Sequence, residues 1–195
     1  MTCPNFNPVI WILLFFLAFA TNGRSSDQSS ALGFEAVVTP DHVSLSSAPK
    51  LTSILLALKI TNRTSDNILI NTFLTPVPYL TPTGGKTIIT GTGNDSICVP
   101  DKRDITNVPP QHSTYIVVPC YLEKDGSKLN FGGELLRDGG FWIIRDVRVG
   151  SYTIRLHYKP PDYSLFPDAV KKAIYPFTPW SGEADSEAVA FTISK

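Results

Sequence analysis

From residue 34 onward, hydrophobic and polar positions alternate in short runs along this chain. Residues 51–61 and 187–194 show the pattern most clearly. The apolar positions that share one face are Ile54, Leu56, Leu58 and Ile60 in the first segment and Val189, Phe191 and Ile193 in the second. A period of two residues is typical of β-strands that bury one face. The pattern therefore predicts strands, not amphipathic helices, over most of the chain.

Further short runs of the same kind are separated by turn residues. They lie at 34–38, 68–74, 86–90, 115–122, 128–131, 141–144 and 151–158. Sixteen prolines and thirteen glycines punctuate the chain, and Asp125-Gly126 is typical of a hairpin turn. Eight or nine short strands joined by turns predict an all-β fold, an antiparallel β-sandwich, with a closed barrel as the alternative. Trp142, between apolar neighbours, is predicted to be a core residue.

One motif narrows the type of sandwich. Residues 146–152 (DVRVGSY) have the spacing D-x-x-x-G-x-Y and precede an alternating strand. This resembles the tyrosine corner of immunoglobulin-like and fibronectin-like sandwiches. The resemblance implies an antiparallel immunoglobulin-like β-sandwich of about eight strands, in which the Tyr152 hydroxyl bonds to nearby backbone. Antibody-type domains have cysteine two residues after this tyrosine, whereas this chain has Ile154, so their inter-sheet disulfide is not expected.

The amino terminus has the pattern of a secretory leader. Residues 9–20 (VIWILLFFLAFA) are an unbroken apolar run of twelve residues, and Ala18 and Ala20 suit signal-peptidase cleavage before Thr21. A membrane-spanning helix needs about 20 apolar residues, so no stable membrane anchor is predicted. We expect a signal peptide at 1–20, a flexible polar segment at 21–33 and a single domain at 34–195. The protein is then secreted and extracellular, or periplasmic in a bacterium.

Export changes the expected chemistry of the remaining cysteines and of two asparagines. Cys98 and Cys120 follow the leader and are predicted to form a disulfide in an oxidising compartment; the alternative is two buried free thiols. Asn62 and Asn94 each begin an N-x-S/T sequon and are predicted glycosylation sites in a eukaryotic secretory pathway.

Charge and motif content exclude several function classes. Seventeen basic and seventeen acidic side chains balance, which argues against nucleic-acid and anionic-membrane partners. No metal-ligand spacing, cofactor motif or nucleophile elbow occurs in the sequence. The sequence therefore predicts a protein that is not an enzyme and has no cofactor and no metal. Among three histidines, His157 is predicted to face solvent, opposite Ile154 and Leu156.

The distinctive surface candidate is the aromatic loop at residues 160–180, which is also rich in proline. Its aromatic residues are Tyr163, Phe166, Tyr175, Phe177 and Trp180. A short helix is predicted at 167–174. Aromatic side chains on a proline-stiffened loop suit binding to a protein or a glycan; alternatively they fold inward and cap the core. A second proline-rich segment, 75–83, either joins this rim or is an extended edge segment.

The resulting functional hypothesis is a secreted, non-catalytic recognition module that binds an extracellular protein or glycan through the aromatic loop. One alternative is a protease inhibitor that inserts residues 75–83 or 160–166 into a protease cleft. Another is an extracellular hydrolase, which requires a cleft with a histidine within hydrogen-bond reach of a serine or carboxylate. A structural coat protein that associates with itself is the last.

Overall fold

The computed structural model of the chain describes residues 31–73, 76–88, 90–94, 100–134, 140–160, 162, 168, 171–172 and 177–195. These residues include thirteen strands and one short 3-10 helix. No helix among the described residues is long and apolar enough to cross a membrane. The all-β prediction is confirmed. In chain order the strands are β1 Leu32–Thr39, β2 His42–Ser44, β3 Leu51–Asn62, β4 Ile68–Asn71, β5 Val77–Pro82, β6 Gly91–Asn94, β7 Ile105–Val108, β8 Ser113–Asp125, β9 Lys128–Glu134, β10 Gly140–Ile144, β11 Gly150–Tyr158, β12 Ala184–Asp185 and β13 Val189–Ser194, and the 3-10 helix is Lys102–Asp104.

Six strands form the larger sheet in the order β1-β3-β8-β9-β10-β6, and all neighbouring strands are antiparallel. Its longest pairing joins β3 to β8, from Leu51 opposite Glu123 to Thr61 opposite Ser113. β8 turns into β9 at Gly126, whose φ of 60° is a left-handed conformation that glycine adopts without strain. The hairpin turn predicted at this position is confirmed.

The second sheet is built around β11. Tyr152 of β11 pairs with both Pro82 of β5 and Phe191 of β13, so β5 and β13 lie on opposite edges of β11. β12 pairs farther along β11, at His157, and β2 pairs in parallel with β13. β4 and β7 form a separate two-stranded sheet.

For the described part of residues 75–83, the structure decides between the two interpretations that the sequence leaves open. Val77–Pro82 is strand β5, and Pro78 and Leu80 are buried. A central strand forms hydrogen bonds with a neighbour on each side, and proline lacks the N–H that would donate one of them. A strand at a sheet edge tolerates proline. The alternative interpretation, an extended edge segment, describes the observed conformation.

The hydrophobic core lies between the larger and the second sheet. Across this interface the Phe131 ring of β9 stacks on Phe191 of β13, with ring centroids 5.7 Å apart. Trp142 is buried, as predicted, and meets Phe131 edge-on at 5.1 Å. The predicted inward faces of β3 and β13 are also confirmed, since Ile54, Leu56, Leu58, Ile60, Phe191 and Ile193 are all buried in the core. Alternation along each strand thus assigns its inner face.

The turn into β11 has the predicted corner geometry. Asp146 has a φ of 55° and Gly150 a φ of 157°. The Tyr152 hydroxyl bonds to the backbone of Arg148, four residues upstream. This part of the resemblance to a tyrosine corner is confirmed.

Strand order in the larger sheet differs from that of a constant-type immunoglobulin domain. In that domain the strand before the tyrosine-corner strand is strand E, which lies between strands B and D. Here the strand before the tyrosine-corner strand β11 is β10, and it lies between β9 and β6. The neighbour of β3 in this sheet is β8 and not β10. The observed architecture is all-β and antiparallel except for the β2–β13 pairing. The immunoglobulin-like assignment stays a prediction.

The described chain begins earlier than the predicted domain start at Phe34. Leu32 is buried and pairs with Asn62 as the first residue of β1. Residues 1–30, which include the predicted signal peptide and most of the predicted flexible segment at 21–33, lie outside the described residues. Within the predicted helix at 167–174, Asp168, Lys171 and Lys172 are helical and the other residues lie outside the described part.

Candidate functional site

Only part of the predicted aromatic site falls within the described residues. Tyr163, Phe166 and Tyr175 lie outside them. Phe177 is 40% exposed. Trp180 instead packs onto the domain, because its ring stacks on Tyr158 at a centroid distance of 5.9 Å and an interplanar angle of 13°.

Two further contacts hold Trp180 in this position. Its ring lies 5.4 Å from that of Phe34, and its backbone N–H donates to the Leu69 carbonyl oxygen over 2.7 Å. Both ring neighbours belong to the core. The described end of the aromatic loop therefore combines one side chain that faces solvent with one that seals the edge of the sandwich.

A different apolar surface lies on the outer side of the larger sheet. We call it the apolar sheet face and define it by Val37, Leu55, Ala57, Tyr115 and Val117. Leu55 is 50% exposed and Tyr115 is 55% exposed, and Val37 and Val117 are also exposed. These are large apolar side chains at which the described structure leaves substantial surface uncovered.

Strand register brings these side chains together. Ala57 of β3 lies between Val37 of β1 and Val117 of β8, its partners in the two pairings. Ala57 is only 5% exposed, although it points away from the buried row of Leu56 and Leu58. Its burial follows from its larger aliphatic neighbours, so the patch is continuous across three strands.

Sequence reasoning missed this surface, although the sequence carried a signal for it. Residues 51–61 (LTSILLALKIT) and 115–122 (YIVVPCYL) have apolar side chains on both strand faces. A strand that is apolar on both faces is typical of burial on both sides. The alternating pattern alone predicts only the inner face of these strands and gives no role to the outer residues Leu55, Ala57 and Val117.

One ion pair borders the apolar sheet face. Glu35 of β1 and Lys59 of β3 are cross-strand partners, and their carboxylate oxygen and ammonium nitrogen are 3.1 Å apart. Tyr115 lies opposite Lys59 on the next strand. The two charges neutralise each other, so this ion pair gives the apolar sheet face no net charge.

Asp146 lines two open depressions on the surface. One, of about 290 Å³, is lined by Asp125, Lys128, Asn130, Ile143, Arg145 and Asp146. The other, of about 450 Å³, is lined by Pro82, Thr83, Ile88, Asp146, Arg148, Val149, Gly150, Ser151 and Tyr152. Neither lining contains a histidine or a cysteine, the side chains that most often supply a base or a nucleophile.

His157 sits in a polar network on the outer side of the second sheet, on the face opposite Leu156, as predicted. Its Nδ1 lies 2.8 Å from Asp185 Oδ1, and its Nε2 lies 3.3 Å from Glu183 Oε1. The Tyr79 ring lies 5.8 Å from the imidazole. Partial burial and the charges of Asp185 and Glu183 raise the pKa of Tyr79, because they disfavour the phenolate.

A second histidine also meets the distance condition of the hydrolase alternative. His42 Nε2 is 2.9 Å from Ser194 Oγ, and His42 is exposed. Neither His42 nor His157 lines either depression. Among the described residues no group of three histidines, cysteines or carboxylates is placed to hold a metal ion.

Asn62, a predicted glycosylation site, is fully buried. Its Nδ2 donates to the carbonyl oxygens of Asp66 and Val108 over 2.7 and 2.8 Å, and its Oδ1 accepts from Thr64 N–H and Oγ1. A glycan attached to Nδ2 would replace one of its two hydrogens, so Nδ2 could no longer donate both bonds. The amide of Asn62 therefore holds a turn together. The other predicted glycosylation site, Asn94, ends the edge strand β6, and its side chain lies outside the described part.

Cys120 carries a free, buried thiol in this structure. Its Sγ lies 3.2 Å from the Ile54 carbonyl oxygen, and burial raises the pKa of the thiol to about 12. Cys98 lies outside the described residues. The disulfide between the two therefore stays a prediction.

Comparisons with known proteins add no identification. No protein-family model matches the chain, and searches of curated proteins and of solved structures gave no match. The evidence for a function therefore lies in the surfaces of the protein itself.

Proposed function

We propose that the protein is a secreted, non-catalytic recognition module that binds an extracellular protein through the apolar sheet face. The observation that carries the proposal is the exposure of Leu55, Tyr115, Val37 and Val117 around the buried Ala57. Contiguous exposed apolar surface of this kind marks interaction sites in soluble proteins. Predicted export supplies the extracellular setting of the proposed partner.

The composition of the face favours a protein partner over a glycan. Sugar hydroxyls require hydrogen-bonding side chains, but Val37, Leu55 and Val117 offer none. A pleated sheet surface also lacks the concavity of a small-molecule site. A flat aliphatic surface with a tyrosine at its border instead matches the apolar centre of a protein interface.

The aromatic loop is proposed as a second contact. Phe177 supports it, because a large aromatic side chain that is 40% exposed offers binding surface without weakening the core. Tyr163, Phe166 and Tyr175 belong to the same proposed contact. Trp180 contributes by holding the loop against Tyr158.

Leu55→Asp tests the role of the apolar sheet face. Wild-type and variant chains are immobilised, and each matrix is incubated with the soluble extracellular proteins of the source organism. We expect the wild-type matrix to retain a protein of which the Leu55→Asp matrix retains at least about tenfold less. The reason is that a carboxylate in an apolar interface is desolvated without a partner. Val149→Asp, at an exposed aliphatic residue near the tyrosine corner, is the matched control. Equal retention on the wild-type and Leu55→Asp matrices would refute the proposal.

A further inference from the structure

We propose that the partner of the apolar sheet face is a second copy of this chain, so that two copies pack their larger sheets face to face. This inference rests on the proposed function, since it names the partner of the same site. Three observations support it: the area of the outer side of the larger sheet, the charge balance of the chain, and the position of the Glu35–Lys59 pair.

The area of the sheet suits a dimer. Six strands spaced about 4.8 Å apart give a sheet about 24 Å wide, and the twelve residues of β3 extend about 40 Å. Because the strands other than β3 and β8 are shorter, the outer side of this sheet covers on the order of 800 Å². That is about what each partner contributes to a stable interface of standard size.

The charge of the chain does not oppose association of two copies. Its 17 basic and 17 acidic side chains give no net charge at neutral pH. Proteins of high net charge repel their own copies at a distance, whereas a neutral chain lacks this barrier. A strongly charged partner, in contrast, would find no field of opposite sign to guide it to this face.

The ion pair makes the face complementary to itself. A two-fold dimer places the same patch on both sides of the interface. Because Glu35 and Lys59 lie side by side, a second copy can bring an acid near each base. The aliphatic row of Val37, Ala57 and Val117 then meets the same uncharged row of the second copy.

Analytical ultracentrifugation and light scattering test the inference on the secreted chain. We expect wild type to be a dimer at micromolar concentration and Leu55→Asp to be a monomer. The dissociation constant should rise by at least about a hundredfold, because two-fold symmetry introduces the carboxylate twice. Val149→Asp should remain dimeric. Leu55→Thr, which introduces a β-branched side chain suited to a strand, should weaken the dimer while the circular dichroism spectrum stays that of wild type.

A charge-exchange experiment separates self-association from a general loss of apolar contact. Glu35→Lys leaves two bases on the face, and Lys59→Glu leaves two acids. Each variant alone should dimerise more weakly than wild type, whereas an equimolar mixture should form a heterodimer that native mass spectrometry resolves. If the mixture forms no more dimer than either variant alone, the result argues against a second copy as the partner.

The outcomes distinguish the two proposals. A wild-type monomer whose Leu55→Asp variant still loses an extracellular partner overturns this inference and retains the proposed function. A wild-type dimer that survives Leu55→Asp and Leu55→Thr uses another surface, which also overturns the inference. A monomer that loses no partner on substitution of Leu55 overturns both.

Discussion

The hydroxyl group of Tyr152 donates a hydrogen bond of 2.6 Å to the carbonyl oxygen of Arg148 and accepts one of 3.1 Å from the same residue's N–H. The side chain of a strand residue thereby closes the turn that precedes its own strand. Tyr152 is buried against the core. Its ring therefore connects the turn to the packing between the two sheets.

Tyr152→Phe should lower the free energy of unfolding by about 1–2 kcal/mol. The substitution keeps the ring but leaves the Arg148 backbone groups without this partner. Urea denaturation monitored by circular dichroism measures the change. Tyr115→Phe removes a hydroxyl from an exposed ring and serves as the control, with an expected change below about 0.5 kcal/mol. Equal losses for the two variants would contradict the role given to this bond.

Asn62→Ala should destabilise the domain by about 3 kcal/mol. The variant leaves the carbonyl oxygens of Asp66 and Val108 and the Thr64 N–H without the partners that Asn62 provides. Thermal and urea unfolding report the loss. Asn67→Ala, at an exposed asparagine of the same turn, should change stability little.

Glycosylation at Asn62 and burial of its amide exclude each other. We expect the secreted protein from a eukaryotic host to carry no glycan at this position, because Nδ2 is used twice as a hydrogen-bond donor inside the domain. Peptide mapping by mass spectrometry checks each sequon separately. A fully occupied Asn62 in correctly folded protein would contradict the geometry of this turn.

Trp180→Ala and Phe177→Ala should differ in their effect on stability, although the two residues are close in sequence. Loss of the Trp180 ring removes its stacking on Tyr158 and Phe34, for an expected destabilisation of about 2 kcal/mol. Phe177→Ala should leave the unfolding midpoint unchanged, since that ring faces solvent. A stable Trp180→Ala variant with weakened binding would instead place Trp180 in a recognition surface.

The Cys120 thiol should make stability depend on pH in the alkaline range. The folded-state pKa of about 12 exceeds the usual value of 9.0, so the unfolded state loses the proton first. This contribution to stability is complete below pH 9.0 and is lost as pH rises toward about 12. The wild-type protein should therefore lose up to about 1.4 kcal/mol per pH unit more than Cys120→Ala in that window.

Alkylation under two conditions tests the state of Cys120 directly. The native protein should resist alkylation at pH 7, because the thiol is buried and protonated. Denaturation without a reductant should expose it to the reagent. A thiol that reacts only after both denaturation and reduction would support the disulfide predicted with Cys98 and contradict a free Cys120.

Local sequence patterns determined the all-β class, the longer strands and the inner faces of β3 and β13, but they did not predict the short strands β2, β6, β7 and β12, or β5. Ile54, Leu56 and Leu58 face the core because side chains alternate along a strand irrespective of what packs against them. The D-x-x-x-G-x-Y spacing likewise determined the corner at Tyr152. These features depend on neighbours within a few residues, so a single sequence suffices to predict them.

Tertiary structure decided the candidate site. Val37, Ala57 and Val117 are far apart in the chain and form one row only because β1, β3 and β8 pair in a particular register. Asn62 appears as a sequon in the sequence, but the carbonyl oxygen of Val108, 46 residues away, gives its amide a structural role. Contacts over such separations arise when strands pair, and alternation along one strand carries no information about which strand becomes its neighbour.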